Sequence, residues 1–116
     1  MKRTKIRLDA GETWKRRAVE MTERFQTAQS WIARMKSVLY DAATGKLVFL
    51  GRTNGEYASE FGSLWYRAQD GSILEVDYDA REITMYSDMA DVLRLYSSFQ
   101  AEHNVAAYRE IQKFAA

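Results

Sequence analysis

Three carboxylates, Glu75, Asp77 and Asp79, stand at every second position of one short segment. On an extended strand that spacing puts their heads on one face, roughly 6–7 Å apart. Such a row offers the hard oxygens that a divalent cation takes. Calcium and magnesium sites, however, collect ligands from loops and from more than one segment. A charge run of this kind ordinarily faces water. The row therefore reads as a solvated, acidic sheet face that also blocks edge pairing, and no metal or cofactor site is assigned to it.

His103 is the only histidine, and cysteine is absent. A Ser–His–Asp or Cys–His device needs a base that titrates near neutral pH. His103 falls at an expected helix break, where a cap or surface role is the simpler reading. The G-x-S-x-G turn of serine hydrolases is missing. Thr44-Gly45-Lys46 resembles the end of a phosphate loop only superficially. It lacks the upstream glycine spacing and opens a strand, not a helix. No catalytic residue is assigned.

Cations form the better candidate. Lys2, Arg3, Lys5 and Arg7 precede Trp14, Lys15, Arg16 and Arg17, with Arg24 further on. Cations beside an aromatic ring can hold phosphates and stack a base, or meet an acidic partner. Residues 1–36 carry ten basic and four acidic side chains, a net +6, whereas residues 37–116 carry seven and twelve, a net −5. The whole chain is only +1, so it lacks the overall basic charge of a dedicated nucleic-acid binder. No helix-turn-helix, zinc-finger or RNA-reading signature is present. In the acidic half, Asp70, Glu75, Asp77, Asp79 and Glu82 form the matching candidate surface for a basic partner, or for the basic arm of a second copy.

These groups need elements to position them. The length of 116 residues suits one domain with one core. The seven Tyr, five Phe and three Trp exclude a disordered chain. No stretch approaches the ~20 apolar residues of a membrane span, and the basic start is not followed by the apolar run of a secretory signal. A cytoplasmic protein without membrane contact is the expectation. Proline is absent, so Gly, Asn, Asp and Ser must make every break.

Residues 1–8 read as a basic arm or edge strand. Trp14, Ala18, Met21, Phe25, Ala28, Ile32 and Met35 recur at alternating spacings of four and three. That predicts a long helix over residues 9–36 with one apolar stripe. Residues 37–87 read as an antiparallel meander of four or five strands. Val38-Leu39-Tyr40 and Lys46–Leu50 would form a hairpin turned at Gly45. Further strands follow at 63–67, 72–78 and 82–86, with a hairpin turn at Asp70-Gly71. In the second of these, Leu74, Val76 and Tyr78 face the core and Glu75, Asp77 and Asp79 face water. Residues 88–115 read as a kinked or split C-terminal helix, capped at Ser87 or Asp88 and interrupted at His103-Asn104. The expected class is α+β, with a long N-terminal helix and the C-terminal helix packed on one face of a curled sheet.

Small size, missing chemical motifs and charge of both signs point to a compact, non-enzymatic interaction protein. An inhibitor, an immunity-type protein or an accessory factor fits, including an anti-defence protein of a mobile genetic element. A protein partner is expected first, with a homodimer allowed. A small nucleic-acid-binding factor using the basic arm and helix start is the alternative. The third reading is a cone-shaped α+β enzyme with an aromatic pocket between sheet and helices.

Overall fold

A computed structural model of the chain describes residues 19–98 and 102–115. The expected basic arm and residues 9–18 of the expected long helix lie outside those residues. The described part is α+β: a five-stranded antiparallel sheet with three helices. The strands are β1 (Val19–Arg24), β2 (Leu47–Thr53), β3 (Ser63–Ala68), β4 (Ile73–Asp77) and β5 (Glu82–Tyr86). The helices are α1 (Ala28–Ala43), α2 (Met89–Ser97) and α3 (Glu102–Phe114). The strand order is β1-β5-β4-β3-β2, so β2 to β5 form a meander and β1 returns to pair with β5.

The first helix differs from expectation at both ends. Val19–Arg24 is strand, paired with β5 from Val19 opposite Tyr86 to Arg24 opposite Glu82. Helix α1 starts only after Thr27, whose hydroxyl accepts from the Ser30 N–H at 3.1 Å as an N-cap. It then runs through Val38-Leu39-Tyr40, which therefore do not form the first strand of a hairpin. Gly45 does take a positive φ of 85°, but it ends a helix: the Thr44 N–H returns to the Tyr40 carbonyl at 3.0 Å. The buried stripe of α1 is Trp31, Met35 and Val38, with Ala42 beside it. Ile32, expected inside, is 53% exposed.

The helices cover both faces of the sheet, not one. Helix α1 packs Trp31, Met35 and Val38 on Leu47, Tyr66, Leu74, Val76 and Ile83. On the opposite face, Val92, Leu95 and Tyr96 of α2 join Ala107 and Ile111 of α3 over Trp65, Ile73 and Tyr86. Alternate residues of β3, β4 and β5 thus feed two cores, and all five residues of β4 are buried. The expected wet face of β4 does not exist: Glu75 is 1% and Asp77 0% exposed. A second helical layer lies where solvent was expected. The expected interruption at His103-Asn104 is also displaced, since both residues lie within α3.

Candidate interaction surface

The strand register lines up a polar row across the helix α2–α3 side of the sheet. Thr53 sits opposite Ser63, Ser63 opposite Asp77, Asp77 opposite Glu82, and Glu82 opposite Arg24. The next row places Glu75 between Trp65 and Thr84. The Glu75 carboxylate is held from three sides. The Ser63 hydroxyl donates to one oxygen at 2.7 Å, while the Tyr86 hydroxyl at 2.7 Å and the Tyr96 hydroxyl at 3.4 Å donate to the other. Burial, and next the Glu75 charge, push the Tyr86 phenol well above its ordinary value of 10.0. Thr53 accepts the Trp65 indole N–H at 2.9 Å. Buried polar groups satisfied in this way hold one arrangement of the core.

Asp77 and Asp79 build turns. Asp77 accepts the backbone N–H of Asp79 and of Ala80, at 3.1 and 3.0 Å. Asp79 accepts those of Phe61 and Gly62, at 3.0 and 2.8 Å, and so ties the β2–β3 loop to the β4–β5 turn. Asp70 closes its own turn on Ser72, whose hydroxyl at 2.6 Å and N–H at 2.9 Å hold the carboxyl below its ordinary range. The five carboxylates read from sequence as one basic-partner surface therefore do not share a solvent face. Glu75, Asp77 and Glu82 are interior, while Asp70 and Asp79 serve separate turns.

Of the nine residues proposed to contact nucleic acid or an acidic partner, Lys2, Arg3, Lys5, Arg7, Trp14, Lys15, Arg16 and Arg17 lie outside the described residues. Arg24 is described, and its Nε meets Glu82 Oε2 at 2.6 Å. The structure thus joins one member of each candidate set within the same molecule. Among the described residues no group of His, Cys, Asp or Glu is arranged to hold a metal ion. Nor is any described helix long and apolar enough to cross a membrane.

A different surface emerges between α1 and β2. Arg34 of α1 reaches Glu23 of β1 at 3.3 Å, which fixes the flank of α1 that faces the β1 edge. Ile32 and Leu39 are seven residues apart, two turns, and each lies far round the helix from Arg34. They therefore sit on the flank toward β2, against which α1 also packs. The turn at Thr44–Lys46 sends β2 back alongside the helix. Counting about 1.5 Å per helical and 3.3 Å per strand residue from that turn, Phe49 comes level with Leu39, and Arg52 with Ile32. Phe49 lies on the α1 face, its ring 5.4 Å from that of Tyr66. Arg52 on the same face stands 4.9 Å over the Phe61 ring, and Phe61 in turn meets Tyr78 at 5.0 Å.

Ile32 and Leu39 of α1 and Phe49 and Phe61 on the β2 side are exposed apolar residues. These four are 53, 54, 53 and 42% exposed. Together they show on the order of 400 Å² of apolar surface, well within the range of functional patches on monomers. Among the described residues β2 pairs with β3 alone.

No family model, no curated protein and no solved structure matches this chain. Among the described residues, the exposed apolar side chains Ile32, Leu39, Phe49 and Phe61 are an accessible feature that the carboxylate row is not. Spacing analysis placed Ile32 in the core and did not single out the β2 edge. One signal was available: Leu47-Val48-Phe49-Leu50 is apolar without alternation, which marks a strand with apolar groups on both faces.

Proposed function

We propose that the chain is a small non-enzymatic interaction protein that binds another protein through the exposed apolar residues of α1 and the β2 side. The observation that carries this reading is the exposure of Ile32, Leu39, Phe49 and Phe61 beside β2, which among the described residues pairs with β3 alone. An exposed apolar patch of this extent is often functional. The buried carboxylate cluster supports the same reading from the other direction. Glu75 is 1% exposed, and both its oxygens are engaged by side chains of the fold. Its evident work is to organise the core. An inhibitor, an immunity-type protein or an accessory factor, including one carried by a mobile genetic element, acts by such a surface.

The test compares tagged wild-type chain with the Ile32→Asp/Phe49→Asp variant in nuclease-treated host lysate. Circular dichroism confirms that the variant is folded. The expected result is a protein retained by the wild type and lost from the variant. Retention by both removes these apolar residues as the working surface. Loss of all bound material on nuclease treatment transfers the function to nucleic acid.

A further inference from the structure

We infer that Asn54 is a self-modifying site: its amide converts spontaneously to a carboxylate, and the change breaks a tie between the β2–β3 loop and helix α3.

Asn54 directly follows β2, is followed by Gly55, and lies outside any helix or strand. Its side chain is exposed. The residue after an asparagine attacks the amide most readily when it is glycine. No side chain then hinders its backbone nitrogen, and the backbone there turns freely. The only co-reactant is water. The Gly55 nitrogen gives up its proton and bonds to Cγ of Asn54. The bond from Cγ to Nδ2 breaks, and Nδ2 leaves as ammonia with that proton. Water then opens the cyclic imide at either carbonyl, and the acid proton passes to solvent. One opening gives aspartate. The other gives isoaspartate, which carries an extra methylene in the main chain.

The groups around the amide match the charges that the reaction develops. Arg52 donates from Nη2 to Oδ1 of Asn54 at 3.1 Å, the oxygen that turns negative as Gly55 adds. Glu110 of α3 accepts from Nδ2 at 3.3 Å, the nitrogen that turns positive before it leaves. Glu60 packs against Gly55 and keeps a carboxylate beside the residue that must lose a proton. The chain has one other asparagine, Asn104. It is 7% exposed, lies within α3 and precedes the β-branched Val105. The helical backbone and the branched side chain both hinder attack there.

The product changes what the loop holds. The bond from Asn54 to Glu110 joins residues 56 apart in the chain. A carboxylate in place of the amide faces the Glu110 carboxylate, so attraction becomes repulsion. Lys113, 3.6 Å from Glu110, offsets it only in part. The backbone has no slack for the isoaspartate methylene. A Cβ on Gly62 would overlap the Thr53 carbonyl and the peptide bond between Asn54 and Gly55, so these stretches are in close contact. Asp79 fixes the Gly62 N–H at 2.8 Å. Lengthening the main chain at position 54 therefore displaces residues 53–55 or Gly62.

The experiment holds the full chain in mildly alkaline buffer at physiological temperature, with circular dichroism to confirm that it stays folded. Its peptides are mapped by mass spectrometry at intervals. The expected result is conversion of Asn54 to aspartate and isoaspartate while Asn104 stays intact. Hydroxylamine, which traps the cyclic imide, cuts the chain after position 54. Asn54→Gln keeps an amide but closes the ring far less readily, and stays unconverted. Amide hydrogen exchange is then compared for wild type, the aged product and Asn54→Asp. Exchange around Glu110 and in residues 53–62 quickens about twofold in Asn54→Asp, the size of one exposed like-charge pair. It quickens further in the isoaspartate product.

No conversion at Asn54, equal conversion of the two asparagines, or conversion of Asn54→Gln at the wild-type rate each overturns the site. Conversion that leaves exchange around Glu110 unchanged, in the aged product and in Asn54→Asp alike, overturns the tie to α3.

Discussion

The Tyr86 hydroxyl donates to Glu75 Oε1 at 2.7 Å, with Glu75 1% and Tyr86 3% exposed. A buried carboxylate deprived of a donor keeps its desolvation cost without compensation. Tyr86→Phe is therefore expected to cost about 1–3 kcal/mol in urea unfolding. A double-mutant cycle with Glu75→Gln should show coupling of about 0.5–3 kcal/mol between the two positions. Additive losses would mean that the hydrogen bond contributes nothing beyond packing.

Alkaline pH should act on the same residue. Burial raises the Tyr86 pKa well above 10.0 in the folded chain, while the unfolded chain keeps the ordinary value. Above about pH 10 the unfolded state releases the proton and the folded state holds it, so stability is intact below that pH and falls as pH rises beyond it. Tyrosinate absorbance and circular dichroism followed together should show Tyr86 ionising only as the chain unfolds. Its titration within an intact fold would contradict this.

Gly62 and Gly71 separate two reasons for a glycine. Both take positive φ, 95° and 91°. A Cβ on Gly71 meets open space, whereas one on Gly62 would overlap the Thr53 carbonyl. Gly71→Ala should cost about 1–2 kcal/mol, the conformational term alone. Gly62→Ala should cost clearly more, because the loop pinned by Asp79 must also shift. Thermal or urea unfolding of the two variants gives the order directly.

Adjacent residues of α1 should respond in opposite ways. Val38 is fully buried and Leu39 is 54% exposed. Val38→Ala is expected to cost about 2 kcal/mol from lost burial and the cavity left behind. Leu39→Ala should stay within about 0.5 kcal/mol. Thr27→Ala, which removes the N-cap, should cost about 1 kcal/mol. Equal effects at Val38 and Leu39 would contradict the helical assignment of this stretch.

The sequence alone determined the run of strands from β2 to β5 and the turn at Asp70-Gly71, because alternation and turn chemistry act within a few residues. Asp88, one of the two capping residues read from sequence, accepts the Asp91 N–H at 2.8 Å and starts α2. What the tertiary structure decided lies where two periods overlap. Met21, Phe25, Ala28 and Ile32 fit a helical stripe, yet Val19–Arg24 finds a strand partner in β5, and pairing with that edge outweighs local propensity. Val38-Leu39-Tyr40 suits a strand locally, but the cap at Thr27 and the core under Met35 and Val38 carry the helix through it. The largest difference is at Glu75 and Asp77. Alternation shows that they share a face of β4, and it is silent on what covers that face. Glu75 is enclosed by Tyr96 of α2 and by hydroxyls of Ser63 and Tyr86 far along the chain, and Asp77 by the turn whose N–H groups it accepts. The exposed apolar face is of the same kind: Leu39 and Phe49 come level only because the Thr44–Lys46 turn folds β2 back along α1, a relation between elements that no local spacing encodes.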